Sequence, residues 1–336
     1  MKKLTILLIA VTFLLFSKGL SAQTKLTLST MPRIDVHAHV GGIDGMESYM
    51  EVRKVLKEKY NTDLAMWINL QCPLGPGSEG IDMIKEVQDK YQGRFLPTIN
   101  DYRINDGLRF SPDELSEWKS RGIVGYKIWV GVSEAIDNPE NDPTFTKMEQ
   151  IGMVGASIHI SQPYPRNCKD PIEFWKSINA WERVLDRHPN LVVVNAHMMD
   201  IFYSNEQLEY LDYFMQRYPN SYLDVSARLK DFYSMDTEKI RSFFIKYADR
   251  IMFGTDISSQ PKKDGPDNVA AAYDRCFKIL ETNGVFESEL FSPIEGKKLQ
   301  GIALPVDVLE KIYYKNAMKV YPRVRDELKK LGYNVD

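Results

Sequence analysis

Five histidines occur among the 336 residues, and two of them, His37 and His39, stand two apart in RIDVHAHV (33–40). Strand side chains alternate with period two, so Asp35, His37 and His39 share one face while Ile34, Val36 and Ala38 share the other. Two imidazoles carried by one rigid strand converge on a point, and one element can thus supply two ligands of a metal ion. The same spacing also suits a surface or hydrogen-bonded core pair, so the rest of the chain must supply the context.

That context is a recurring order of short β-rich run, polar loop and amphipathic helical stretch. Further strands are predicted at 64–70, 95–100, 124–130, 156–161, 191–197, 222–227 and 251–256, which with the first makes eight. Helices are predicted at 45–60, 80–91, 111–121, 143–153, 171–188, 204–218 and 236–248. Ser111-Pro112-Asp113-Glu114 reads as a capping box with proline at the first helical position, and Ser204-Asn205-Glu206-Gln207 repeats the box. Strands and helices alternating at this spacing point to a single α/β domain, a (β/α)8 TIM barrel over residues 23–336, with an open parallel sheet as the alternative. The segments after strands (72–80, 131–142, 162–170 and 258–267) are long and rich in Gly, Pro and Asp, whereas those leading into strands are shorter. This asymmetry predicts a working face at the strand C-termini.

Chemistry-bearing residues recur at those ends. His159 lies in GASIHIS (155–161), His197 closes LVVVNAH (191–197), Asp256 closes IMFGTD (251–256), and Lys127 sits in VGYKIWV (124–130) with Trp129 on its face. Trp129 could wall a substrate pocket or simply pack. Asp224, Ser226 and Arg228 alternate on the seventh strand, and Arg228 could clamp a substrate carboxylate or bridge to a neighbouring loop. Asp35 reads as support for the ligands beside it, and His188, before Pro189, as structural.

The ordered set of HxH at the first strand, lysine at the fourth, histidines at the fifth and sixth and aspartate at the eighth resembles the amidohydrolase superfamily of metal-dependent barrels. The tail LPVDVLEKIYYKNAMKVYP (304–322) is similar to the closing segment of its amidohydrolase-related branch, which includes aminocarboxymuconate-semialdehyde decarboxylase, and the likeness runs over about residues 30 to 325. The resemblance implies that His37, His39, His159 and Asp256 hold a metal. Three neutral imidazoles and a carboxylate suit Zn2+ or another divalent first-row ion, while Ca2+ and Mg2+ want more oxygen ligands. It further implies that Asp256 takes a proton from water, and that His197 acts as acid/base beside one ion or joins His159 around a second. Two ions would be bridged by a carbamylated Lys127; one ion and an unmodified lysine is the favoured form. Lys127 could instead be ion-paired with Asp35 or Asp224. Met198-Met199-Asp200 departs from the small residue usual after the sixth-strand histidine, which blurs the substrate.

The activity implied is a hydrolase in which metal-bound hydroxide attacks an amide, ester or lactone carbonyl of a small molecule, with Asp256, His197 and Lys127 catalytic. The alternatives are a decarboxylase or hydratase, a lyase acting on an unsaturated carboxylic acid, and a non-catalytic extracytoplasmic binding protein.

Residues 1–22 follow the order of a signal peptide: Lys2 and Lys3, an apolar run over 4–16, then Leu20-Ser21-Ala22 before Gln23. Cleavage there removes three lysines and no acids, so the formal charge goes from -3 to -6, a balance that does not suit a nucleic-acid partner. The mature chain is expected to be exported, periplasmic or secreted, without membrane attachment, and a homo-oligomer is compatible with it. Three separated cysteines, Cys72, Cys168 and Cys276, allow at most one disulfide and no disulfide scaffold.

Overall fold

The computed structural model describes residues 27–70, 86–87, 89–102, 107–130, 135–288 and 294–335. The leader (1–22), Cys72, the loop 72–80, most of the helix at 80–91 and the start of the loop at 131–142 lie outside the described residues.

Among the described residues nine parallel strands form the interior. β1 (Arg33–Ala38), β2 (Leu64–Asn69) and β3 (Phe95–Pro97) make a three-stranded sheet. β4 (Ile99–Tyr102), β5 (Gly125–Trp129), β6 (Val154–His159), β7 (Val193–Asn195), β8 (Ser221–Asp224) and β9 (Ile251–Met252) follow in sequence order in a six-stranded one. β1 and β2 are buried along their whole length, as expected of parallel strands covered on both faces. The two ends of the strand series meet, since the Val36 N–H donates to the Phe253 carbonyl (3.0 Å), Asp256 N–H to His37 O (2.8 Å) and His39 N–H to Ile257 O (2.7 Å).

The predicted strand at 95–100 is split. Pro97 has no N–H to continue a ladder, and Thr98 turns both its N–H (3.3 Å) and its hydroxyl (3.0 Å) onto the Asn69 carbonyl. The last three strands are shorter than predicted because their ends leave the extended region: His197, Met198, Met199 and Asp200 have φ between 53 and 60°, Ala227 has φ 54° and Asp256 has φ 67°. Such left-handed residues end a strand and turn its side chains, at a cost of about 1–3 kcal/mol each, and they gather at functional sites.

The predicted helices appear as Ile43–Tyr60, Pro112–Ser120, Asp142–Ile151, Pro171–Arg187, Asn205–Arg217 and Thr237–Lys246. Ser111 and Glu114 form the capping box. Ser204 caps its helix through Gln207 N–H (3.3 Å), but the Gln207 side chain accepts from Tyr203 N–H (2.8 Å), so the return bond falls one residue early. The helix Pro266–Glu281, the antiparallel pair β10 (Val285–Glu287) and β11 (Lys298–Gln300), and the closing helix Pro322–Lys330 were not assigned from sequence. Cys168 and Cys276 are buried free thiols. Among the described residues no helix is long and apolar enough to cross a membrane.

Candidate metal centre

β1 and the segment after β9 build the centre together. His37 Nε2 lies 3.3 Å and His39 Nε2 3.1 Å from Asp256 Oδ1, and one ligand atom from each residue lies within 4.8 Å of the others. Ligands bound tetrahedrally at ~2.1 Å stand about 3.4 Å apart, so these separations suit a shared first-row ion. His37 Nε2 is buried without a hydrogen bond of good geometry among the described residues. On the other side of that ring Nδ1 faces Asp224 Oδ2 at 2.9 Å, which fixes the tautomer and leaves Nε2 for a cation. The donor set therefore fits a divalent metal.

Neighbouring residues hold these groups in place. Asp35 Oδ1 accepts the N–H groups of His37 (3.0 Å) and Thr255 (3.1 Å), and Oδ2 accepts Tyr273 Oη at 2.6 Å; the carboxylate thus ties β1 to the segment carrying Asp256. Gly254 is required by close approach, since a Cβ there would sit 2.9 Å from His37 Cβ. Asp224 is wholly buried and also accepts His197 N–H (3.1 Å) and Ser226 N–H (3.0 Å) on Oδ1.

Burial alone would lower the His37 imidazole, but the Asp224 carboxylate outweighs it and lifts the ring to about 9. Burial pushes His39 down to about 4 and His197 down to about 3. Asp256 is held well below the usual carboxylate range: burial opposes this, and the surrounding imidazoles, His197 foremost, prevail. At neutral pH without metal, His37 therefore carries a proton at Nε2, while His39, His197 and Asp256 carry none that a cation must displace. Metal and proton compete for that one atom, so affinity is expected to rise by about tenfold per pH unit up to a pH near 9. Competition with a chromophoric chelator between about pH 6 and about pH 8 measures it, and a flat affinity there contradicts the assignment.

His197 joins the group through its left-handed turn. Its ring centroid is 4.6 Å from those of both His37 and His159, Nδ1 lies 3.0 Å from the Ser226 carbonyl, and Nε2 is 4.0 Å from Asp256 Oδ2. His159 reaches the same cluster, but its nearest acid is Asp200, with Nε2 3.1 Å from Oδ2. It is absent from the tight group formed by His37, His39 and Asp256. Trp129 stacks on His159 at 5.4 Å, a consequence of their pairing across β5 and β6.

One layer deeper Lys127 pairs with Ser157; its Nζ donates to Ser157 Oγ at 2.7 Å. Neither Asp35 nor Asp224 forms a salt bridge with it, contrary to the ion-pair alternative; the Asp35 carboxylate is occupied by Thr255 and Tyr273 and that of Asp224 by His37 and Ser226. Burial lowers Lys127 to about 8. Arg228 does not extend from a long strand, because β8 ends at Asp224. It is buried with Nη1 3.1 Å from Asp231 and 3.8 Å from Asp200. His188 lies between Asp142 and Glu149 (3.2 and 3.4 Å), away from the centre.

Sequence reasoning assigned no role to Asp200, treated Asp224 only as a partner for Lys127, and passed over Lys230. The run Met198-Met199-Asp200 was the one signal for Asp200. Nothing in a strand pattern discloses a left-handed turn that brings an acid back onto the preceding strand's histidine.

A parallel α/β architecture with two first-strand histidines and a late aspartate facing one point defines the class, a metal-dependent enzyme of TIM-barrel-like fold. The chain belongs to the amidohydrolase family, whose description, Amidohydrolase, matches residues 91–323, well over half of its length. That span holds Lys127, His159, His197 and Asp256; His37 and His39 precede it. Among solved structures the chain is similar to an uncharacterised TIM-barrel protein from Bordetella bronchiseptica, with 15% identity, 88% of this chain and 99% of the other covered, and a TM-score of 0.50. It is also similar to amidohydrolase 2 from Bifidobacterium longum subsp. infantis (11% identity, 87% and 99% covered, TM-score 0.51) and to 4-oxalomesaconate hydratase from Rhodopseudomonas palustris (13% identity, 89% and 98% covered, TM-score 0.50). At these identities the likenesses speak to fold alone. No curated protein matches the sequence.

Proposed function

We propose that the chain is a hydrolase on a closed (β/α)8 barrel that adds water to the amide, ester or lactone carbonyl of a small molecule, with one first-row divalent ion, zinc by its donor set, held by His37, His39 and Asp256. The reading is carried by the buried His37 Nε2, which makes no hydrogen bond of good geometry among the described residues and faces the Asp256 carboxylate beside His39. Closure of the barrel is supported by the backbone bonds from Val36, His39 and Asp256 across the first and last strands. When bound, the ion supplies Lewis-acid polarisation of a carbonyl and acidification of water.

The chain's own groups do the rest. Asp256 Oδ1 lies between the two first-strand imidazoles while Oδ2 turns toward His197, so Oδ2 accepts the proton of the attacking water. His197 donates Nδ1–H to the Ser226 carbonyl and keeps Nε2 as a lone pair. It therefore accepts from that water; polarising the carbonyl would need the imidazolium that burial disfavours. Lys127 Nζ, bonded among the described residues to the neutral Ser157 hydroxyl, donates to the developing oxyanion. One ion is favoured over two because, among the described residues, His159 pairs with Asp200 and Lys127 bonds to Ser157 with no bond to His159.

The second reading, a lyase acting on an unsaturated carboxylic acid, is favoured by two buried cations near the centre, Arg228, 3.8 Å from Asp200, and Lys230, which the field of Asp256 reaches. The metal-loaded protein offered lactones, amides and esters against unsaturated carboxylic acids separates the two. Ring opening or acyl cleavage supports the first, and CO2 release or water addition supports the second. Turnover of neither class by fully loaded protein contradicts both and leaves a binding role. We also propose export, from the leader-like order of residues 1–22; protein taken from its native cell is expected to begin at Gln23.

A further inference from the structure

Beyond His159 a group of charged residues gathers on the turn that follows β8. Asp231, wholly buried, receives Arg166 through two bonds (2.7 and 3.1 Å) and Arg228 Nη1 at 3.1 Å. Arg228 Nη1 lies 3.8 Å from Asp200 Oδ1, and the other Asp200 oxygen faces His159. Three cations, Arg166, Arg228 and Lys230, thus stand against two carboxylates, Asp200 and Asp231. Lys230 is 7% exposed and has no hydrogen bond or ion pair among the described residues. Arg228 Nε is likewise buried with no hydrogen-bond partner among them. A buried cation without an acid costs free energy unless an anion is supplied.

The cluster is continuous with the metal centre, through His37 to His197, His197 to His159 (4.6 Å between centroids at each step), and His159 to Asp200 (3.1 Å). The field of Asp256 reaches Lys230, whose ammonium burial first, and then Arg228 and Arg166, lower to about 8. It is still charged at neutral pH.

We propose that Lys230, beside Arg228, forms an anion subsite next to the metal centre that takes a carboxylate of the substrate, making the substrate a small organic acid anchored away from its reacting carbon. The inference rests on the reading of the metal centre as the reacting site, and it applies to hydrolysis and to the lyase reading alike. The Lys230 ammonium gives a charged donor to a carboxylate oxygen, and Arg228, held by Asp231, adds positive field beside it. Asp231 acts as the counter-ion that holds Arg228 and Arg166 and leaves Lys230 open.

The test is calorimetric titration of metal-loaded protein with glutarate and with its neutral diamide, glutaramide, in the wild type, Lys230→Met and Lys230→Arg, with the metal content of each measured alongside. Glutarate is expected to bind the wild type and to bind Lys230→Met at least about tenfold more weakly. Lys230→Arg is expected to recover most of that loss, glutaramide binding to stay unchanged, and metal content to match the wild type throughout. Unaltered glutarate affinity in Lys230→Met, equal weakening of both probes, or no glutarate binding to the wild type overturns the subsite. Failure of the metal reading shows separately, as wild-type protein that retains no stoichiometric ion; the Lys230 comparison is then made on metal-free protein and judged by the same outcomes.

Discussion

Asp256→Asn is expected to lower kcat by about a thousandfold or more while the protein still folds. Asparagine matches aspartate in shape, so the left-handed backbone at φ 67° and the bond from Asp256 N–H to His37 O are preserved; Asn tolerates that region better than most residues. Two things are lost together: the proton acceptor beside His197, and the negative charge between His37 and His39. The neighbouring imidazoles hold the Asp256 carboxyl well below its usual range against the effect of burial, so at any working pH it is an anion ready to accept. The measurement is kcat on the best substrate from the panel with metal in excess, together with a thermal melt. Activity within about tenfold of wild type, with an unchanged melt, would remove Asp256 from the chemistry.

The second large effect is expected at a residue that touches no substrate. Asp224→Asn is expected to weaken metal affinity by about 10- to 100-fold, because the carboxylate that accepts His37 Nδ1 sets the tautomer leaving Nε2 available. Asp224 also accepts His197 N–H and Ser226 N–H, so it joins two imidazoles and the end of its own strand in one buried network. Asparagine keeps an oxygen acceptor but removes the charge, and the first consequence is a less basic His37. The pH dependence of metal uptake should flatten in parallel, since the proton competing for Nε2 is held there by Asp224. Wild-type affinity with the wild-type pH slope in Asp224→Asn would show that this carboxylate neither orients nor tunes the ligand. The same network explains why Gly254 cannot carry a side chain without moving His37.

Much of this arrangement was legible in the chain. Period-two alternation placed His37 and His39 on one face, and the alternation of strands with capped helices located most of the secondary structure. The order of His37, His39, Lys127, His159, His197 and Asp256 pointed to the family that the match over residues 91–323 confirms. What escaped was governed by backbone states that hydrophobic pattern does not encode. Four successive left-handed residues at 197–200 bring Asp200 onto His159, while the strand reading simply ran β7 on to His197. Pro97 divides one expected strand in two. Lys230 was invisible because its meaning is comparative: it stands out only when Arg166 and Arg228 are seen to occupy Asp231. Asp35 was read as a supporting group, and the structure shows it bonding to the backbone of both His37 and Thr255, so that a single carboxylate holds the two halves of the centre in register.

The most direct test of the central claim is elemental analysis of the protein purified from its native compartment, with His37→Ala prepared in parallel. One first-row divalent ion per chain in the wild type and none in His37→Ala is the expected result, since that substitution removes the buried Nε2 facing Asp256 and the imidazole that meets Asp224 Oδ2. A wild-type chain carrying no stoichiometric ion, or a His37→Ala chain carrying the wild-type amount, contradicts a centre formed by His37, His39 and Asp256.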